Sequence, residues 1–196
     1  MKIALSLGHW GKKSQPLDRG AVHNGWVEAH ICAQLMVVAA KMLEREGHTV
    51  FMLAHDDYKN RQKFANRMRC DVFFALHMNS ASSAGDYGLI YYDERGKLGK
   101  LFALLLAGEF EKQLPWDFRV EALGPSQRGF NNIKHTHMTA LLLEPGFLNN
   151  SRHMRALTPL SFAMALTEGI KRFEKVTRIA TTSQRSKIKR IFASKR

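Results

Sequence analysis

Four residues of the 196-residue chain pair metal-ligand or proton-transfer chemistry with a place beside an apolar run. They are His9 in SLGHWG, Glu28 in NGWVEAH, His77 in FFALHMNS and Glu144 in LLLEPGFLNN. Imidazole and carboxylate are ordinary zinc ligands, and a catalytic zinc site uses three protein ligands with a fourth position open to water. His9, Glu28 and His77 can supply the three, leaving Glu144 as the carboxylate that takes a proton from the activated water. Glu144 raises the sharpest question, because three leucines precede it and a Pro-Gly turn follows, and glutamate is seldom buried without a partner. The spacings, 19 residues from His9 to Glu28 and 49 from Glu28 to His77, match no local metal motif such as H-E-x-x-H. Each residue also has a plainer reading. A lone histidine at a strand end is more often a cap or a packed side chain than a ligand, and the helix dipole alone favours a glutamate at a helix start. His48 and His153 receive no role.

For the four to meet, the elements that carry them must share one edge of one sheet. Apolar or β-branched runs predict strands at 2–8, 49–53, 71–76, 88–93 and 139–144, and 3.6-residue periodicity predicts helices at 28–47, 58–70, 98–114 and 160–176. In the first helix Ile31, Leu35, Val38 and Met42 share a face with Gly47 as the stop signal; in the second, Phe64 and Met68 point inward. Strands that are apolar throughout and alternate with helices predict an α/β fold: a single domain with a mostly parallel, twisted central sheet and helices on both faces. Such sheets place their sites at the carboxyl ends of the strands, where His9, His77 and Glu144 fall, with Glu28 opening the helix beside the first strand.

The composition is that of a globular chain, with 45% hydrophobic and 10% aromatic residues, and no apolar run reaches the roughly 18 to 20 residues of a membrane span. The apolar part of MKIALSLGHW is too short for the core of a signal peptide and reads as the first strand, so synthesis in the cytoplasm without a signal peptide is expected. Two cysteines, Cys32 and Cys70, make no disulfide framework and read as core thiols. The net charge of +13 is uneven: from Lys171 onward ten Lys/Arg face one acid, whereas the rest of the chain carries 20 basic and 16 acidic residues. The chain therefore divides into a core, 1–176, and a basic tail, 177–196, with a Thr-Thr-Ser break near its start. A tail of this kind favours polyanions.

The five segments that carry these residues also resemble, in order, the motifs of the zinc-dependent N-acetylmuramoyl-L-alanine amidases of the amidase-3 type. SLGHWG (6–11) is similar to the family's glycine-histidine-glycine opening, and NGWVEAHICAQLMVVAAKMLEREGHTVFML (24–53) to its glutamate-led helix and following strand. RQKFAN (61–66) matches an Arg-x-x-x-Ala-Asn helix, CDVFFALHMNS (70–80) a strand ending in His-x-Asn, and LLLEPGFLNN (141–150) a Glu-x-Gly-Phe-x-x-Asn segment. The resemblance covers about the first 165 residues. It implies one Zn2+ held by His9, Glu28 and His77, and Glu144 as the catalytic glutamate, turned toward the metal by Pro145-Gly146 with Phe147 as a packing anchor. Three departures stand out: Trp10 occupies the usual glycine position, LAHDDYKN replaces a Thr-Arg loop, and His135 and His137 stand before the last strand.

The activity so implied is hydrolysis of the amide between N-acetylmuramic acid and the L-alanine of the peptidoglycan stem peptide. Asn79 and His137 are candidate oxyanion donors. The layout resembles a phage endolysin, a monomer reaching the wall after holin action or cell lysis. Lys187, Lys189, Arg190, Lys195 and Arg196 of the tail would hold anionic wall or outer-membrane polymers. Two rivals stand beside this reading. A nucleic-acid-binding protein is suggested by the sequence pI near 10.0, but the charge sits in the tail and no groove-reading motif accompanies it, so no specific nucleic acid is expected. A non-catalytic wall-binding relic of the same fold would have no use for Glu144.

Overall fold

Nearly uninterrupted apolar runs become the middle of the sheet. The computed structural model describes residues 1–10, 18–54, 57–83, 85–96 and 98–193, with side chains described through residue 178. Its elements are β1 (Lys2–Leu7), β2 (Val22–His23), β3 (Trp26–Val27), α1 (Glu28–Arg45), β4 (Thr49–Leu53), α2 (Tyr58–Arg67), β5 (Val72–Leu76), β6 (Tyr87–Asp93), α3 (Gly99–Gln113), β7 (Asp117–Leu123), a single 3-10 turn (Phe130–Asn132), β8 (Thr139–Glu144), α4 (Ser151–Ala156) and α5 (Pro159–Ala193). Six strands form one sheet in the order β4-β1-β5-β8-β6-β7. Its first four strands are parallel; β6 runs antiparallel to β8 and β7 parallel to β6. The mostly parallel α/β sheet expected from the sequence is therefore present.

β1, β5 and β8 sit between other strands and are covered on both faces, which is why their residues are buried almost without alternation. On one face α1, α3 and α5 pack over them, with Leu35, Phe74, Phe102, Leu106, Leu141 and Phe162 in one continuous core. There the Phe102 and Phe173 rings stack at 4.0 Å. On the other face a smaller core holds Ala65 of α2 with Phe73, Ala75, Phe130, Ile133 and Leu142. Cys32 and Cys70 are buried free thiols, and burial pushes both above the usual thiol range. No helix among the described residues is long and apolar enough to cross a membrane.

Three features depart from the expected elements. β7 was not anticipated: Asp117, Arg119 and Glu121 are exposed along one face of this edge strand, so its sequence lacks the continuous apolar signal of the central strands. The deepest residues of α2 are Arg61, Gln62 and Ala65, whereas Phe64 and Met68 are half-buried. α5 does not end near residue 176; its backbone runs helical to Ala193, through the Thr-Thr-Ser segment. Threonine and serine cost a helix only tenths of a kcal/mol each, and no glycine or proline follows Gly169 to stop it. The side chains of Lys187, Lys189 and Arg190, and Lys195 and Arg196 altogether, lie outside the described residues.

Candidate metal centre

Strand register brings the candidate ligands together. Leu7 at the end of β1 pairs with Leu76 at the end of β5, and Leu76 with Leu143 of β8. His9, His77 and Glu144, one or two residues beyond, leave three adjacent strands at the same level. The backbone continues the alignment, with the Gly8 N–H donating to Leu76 O and the His77 N–H to Leu143 O at 2.8 Å. The β2–β3 hairpin then delivers Glu28 as the first residue of α1. In the assembled centre His9 Nε2 is 3.2 Å from Glu28 Oε2, and His77 Nδ1 is 3.1 Å from Glu28 Oε1. One donor atom from each of the three lies within 4.8 Å of the other two.

That donor set fits a divalent cation of borderline softness: two imidazoles, one carboxylate, and an open cavity on the remaining side. Glu28 is buried at 3% exposure. Burial works to raise its pKa, but hydrogen bonds to His77 and His9 and from the Ala21 N–H outweigh it and hold the carboxyl well below the usual carboxylate range. Glu28 therefore stays ionised. Its oxygens are aimed by backbone donors, Ala21 N–H to Oε2 at 2.9 Å and Met78 N–H to Oε1 at 3.0 Å. His9 turns its other nitrogen, Nδ1, to Asp18 Oδ1 at 3.1 Å, the carboxylate–histidine arrangement that orients a ligating imidazole. Hydrogen bonding to Glu28 raises the His9 pKa, against the effect of burial.

Two backbone features make room for this. Gly20 has φ +65°, and a Cβ there would lie 2.5 Å from His9 Cδ2 and 2.6 Å from Glu28 Oε2, so only glycine fits. His9 and Trp10 also hold positive φ, 59° and 63°. Trp10 thus occupies a left-handed position at the place where the resembling family has glycine. Arg61 of α2 stabilises that bend. It is buried, and its guanidinium donates to the carbonyls of Leu7, His9 (3.0 Å), Trp10 (2.9 Å) and Ala54 (2.9 Å). Neither Asp18 nor Arg61 was assigned a role from the sequence. Asp18 had no motif to mark it, and RQKFAN matched a motif without saying what its arginine does.

His9, Glu28 and His77 open onto a cavity of about 830 Å3 that is also lined by Glu144, Asn79, Tyr91, Arg128 and Trp10. Burial, the nearby charge of Glu28 and, more weakly, that of Glu121 push the Glu144 pKa up to about 7, with Arg128 acting against them. Asn79 is held by backbone bonds to Gly146 O at 3.0 Å and from the Leu148 N–H at 2.8 Å. His137 is not brought to the site. It precedes β8, at the opposite end of that strand from Glu144, and lines a separate cavity with Asp93, Arg95 and Lys134. Adjacency in sequence to the Glu144 strand misled because a strand carries its two ends apart by about 3.3 Å per residue. Phe147 is buried and meets Tyr87 edge-to-face at 5.1 Å, the packing anchor expected.

Known proteins resemble this chain in sequence and fold. A family model described as N-acetylmuramoyl-L-alanine amidase matches residues 3–173. The N-acetylmuramoyl-L-alanine amidase CwlM of Bacillus licheniformis is 27% identical over 175 residues, 86% of this chain and 65% of that protein. The sporulation-specific N-acetylmuramoyl-L-alanine amidase of Bacillus subtilis (strain 168) gives the same figures, so this chain spans just under two thirds of the length of either. Among solved structures, the catalytic domain of CwlV, an N-acetylmuramoyl-L-alanine amidase from Bacillus (Paenibacillus) polymyxa var. colistinus, aligns with a TM-score of 0.74 at 24% identity, over 90% of this chain and 99% of that one. The family match runs from β1 into the packed part of α5 and takes in the whole sheet with His9, Glu28, His77 and Glu144, and on that ground the chain belongs to the N-acetylmuramoyl-L-alanine amidase family.

Proposed function

We propose that this chain is a zinc-dependent peptidoglycan amidase, hydrolysing the amide between N-acetylmuramic acid and the L-alanine of the stem peptide. The observation that carries the reading is the meeting of His9, Glu28 and His77 on a cavity that Glu144 also lines. His9, Glu28 and His77 would hold the zinc, which when bound lowers the pKa of water and polarises a carbonyl. The protein's own part follows from its charges. Glu28 remains anionic and, with two neutral imidazoles, offsets half of a divalent charge. Glu144, its pKa pushed up to about 7 by burial and by Glu28, is matched to taking a proton from water and returning it to the departing L-alanine amine near neutral pH. Asn79, fixed on the cavity wall by its backbone, is the candidate donor to the oxygen on which negative charge develops.

Glu144→Gln keeps the shape and loses the base. The expected result is one zinc per chain in both proteins, with release of soluble stem peptide from purified peptidoglycan by the wild type and at least a thousandfold less by the variant. A variant retaining most of the activity would remove Glu144 from the chemistry, and absence of zinc from both would remove the metal.

Lys187, Lys189, Arg190, Lys195 and Arg196 would attach a monomeric enzyme to anionic wall or outer-membrane polymers once holin action or lysis has opened its way to the wall, as for a phage endolysin. The concentration of charge after Lys171 supports this.

A further inference from the structure

Behind the Glu144 turn stands a second pair of ionisable residues that touches neither the metal ligands nor the cavity. His153 in α4 is fully buried, at 0% exposure. Its Nδ1 accepts the backbone N–H of Phe147 at 2.9 Å, and its Nε2 lies 3.1 Å from Asp86 Oδ1. An amide N–H can only donate and a carboxylate can only accept. The two contacts together therefore require the neutral imidazole with its proton on Nε2. The ring stacks on Trp116 at 3.9 Å, and the Trp116 indole N–H donates to Pro145 O at 3.0 Å. The Asn79 N–H donates to Gly146 O at 3.0 Å. Each of the three residues after Glu144 is thus held by a polar contact, and the Phe147 N–H is held by His153, while the Phe147 carbonyl accepts the Asn150 N–H at 3.1 Å within the same turn. Gly146 is packed so closely that a Cβ there would meet His153 Nδ1 at 3.0 Å.

We propose that His153 is a positioning residue for Glu144: Asp86 selects the tautomer that accepts the Phe147 N–H, and a proton added to the ring sets one donor against another and releases the turn that aims the carboxylate. Among the described residues, two charged groups act on the ring. Asp86, in the segment before β6, favours the protonated ring; Arg152 of α4, itself 2.5 Å from Asp86 Oδ2, disfavours it; Trp116 and Phe147 contribute no charge. Burial is the largest influence and holds the ring neutral. The released state is therefore an acid-side state, reached as pH falls below the usual histidine range.

The proposal rests on the amidase reading for its consequence in catalysis but not for its hydrogen bonds, and the test keeps the two apart. In the zinc-loaded full chain, the long-range 1H–15N spectrum of labelled protein should show His153 protonated at Nε2 only. Phe147 amide exchange, corrected for intrinsic rates, should lose protection at least tenfold on acidification in the wild type and should not do so in His153→Gln, whose amide accepts and donates in the same places without titrating. On muropeptide substrate at pH 7, His153→Gln should keep kcat within about threefold. His153→Leu, which removes the acceptor, should lose at least tenfold in kcat with KM and zinc content unchanged, and Asp86→Asn should fall between them. If Phe147 protection ignores pH in the wild type, or if the Leu and Gln variants have equal kcat, the proposal is wrong. If the wild type cleaves nothing, the amidase reading fails while the Nε2 proton and the Phe147 amide still decide the positioning. Should His153→Leu not fold, the Gln and Asn variants decide alone.

Discussion

Glu144 and Glu28 are two carboxylates in one cavity with opposite fates. Glu28 is wrapped by donors and stays charged; Glu144 is raised by burial and by its neighbour. The difference has a consequence for stability. In chelated protein Glu144 binds its proton more tightly folded than unfolded, so its contribution is intact below about pH 4.5 and is lost as pH rises through about 7. Glu144→Gln should therefore stabilise the chelated protein at pH 8 by an amount on the order of 3 kcal/mol, seen as a higher melting temperature, and leave it unchanged at pH 4.5. Thermal melts at the two pH values check this; an equal gain at both would mean that packing, not charge, separates the two side chains. Glu144 was legible at this scale because a carboxylate ending an apolar strand is chemically conspicuous. Asp18 and His153 were not, since one lies on a loop without a pattern and the other is a single histidine whose value depends on Asp86, 67 residues away.

Among the elements, α2 does the bracing. Arg61 reaches back to the end of β1 and the His9–Trp10 bend, while Gln62 and Asn66 reach forward to the segment before β8. Gln62 donates to Asn131 O and accepts from the His135 N–H, both at 2.8 Å, and Asn66 does the same for His135 O (2.7 Å) and the His137 N–H (2.8 Å). His135 and His137 thus contribute their backbones to a clamp rather than their rings to the site. A helix whose inner face is polar reads poorly from hydrophobic periodicity, which is why Phe64 and Met68 drew notice before Arg61. Arg61→Met leaves several carbonyls without their donor, and each buried unsatisfied group costs roughly 1–3 kcal/mol. We expect a loss of about 3 kcal/mol in urea unfolding together with at least a tenfold weaker zinc affinity by competitive titration. Unchanged zinc affinity would mean that the His9 bend holds itself.

At the scale of the whole molecule the charge and the chemistry are separated along the chain. Phe173, the last core residue of α5 among the described residues, is 3% exposed, and the family match ends at the same residue. Removing residues 178–196 should therefore leave the zinc content and the melting temperature as they are. Sedimentation with purified wall material should fall at low salt and change little at high salt, where surface charges are screened. Equal sedimentation at low salt would assign the tail no part in wall attachment.

The sequence by itself determined the α/β class and the central strands, and its resemblance to a known family marked the candidate residues of the metal centre. Short apolar runs bounded by turns and alternating with helices fit interior strands, whereas the role of a carboxylate or imidazole at the end of such a run depends on what the neighbouring strands bring beside it. Tertiary structure decided what local pattern cannot encode. It set the antiparallel β6 and the polar edge strand β7, whose pairing depends on neighbours rather than on periodicity. It placed His137 away from Glu144 by the length of a strand. It also brought Asp18 to His9, Arg61 to the His9–Trp10 bend and Asp86 to His153, contacts between a side chain and a partner that only the assembled sheet puts within reach.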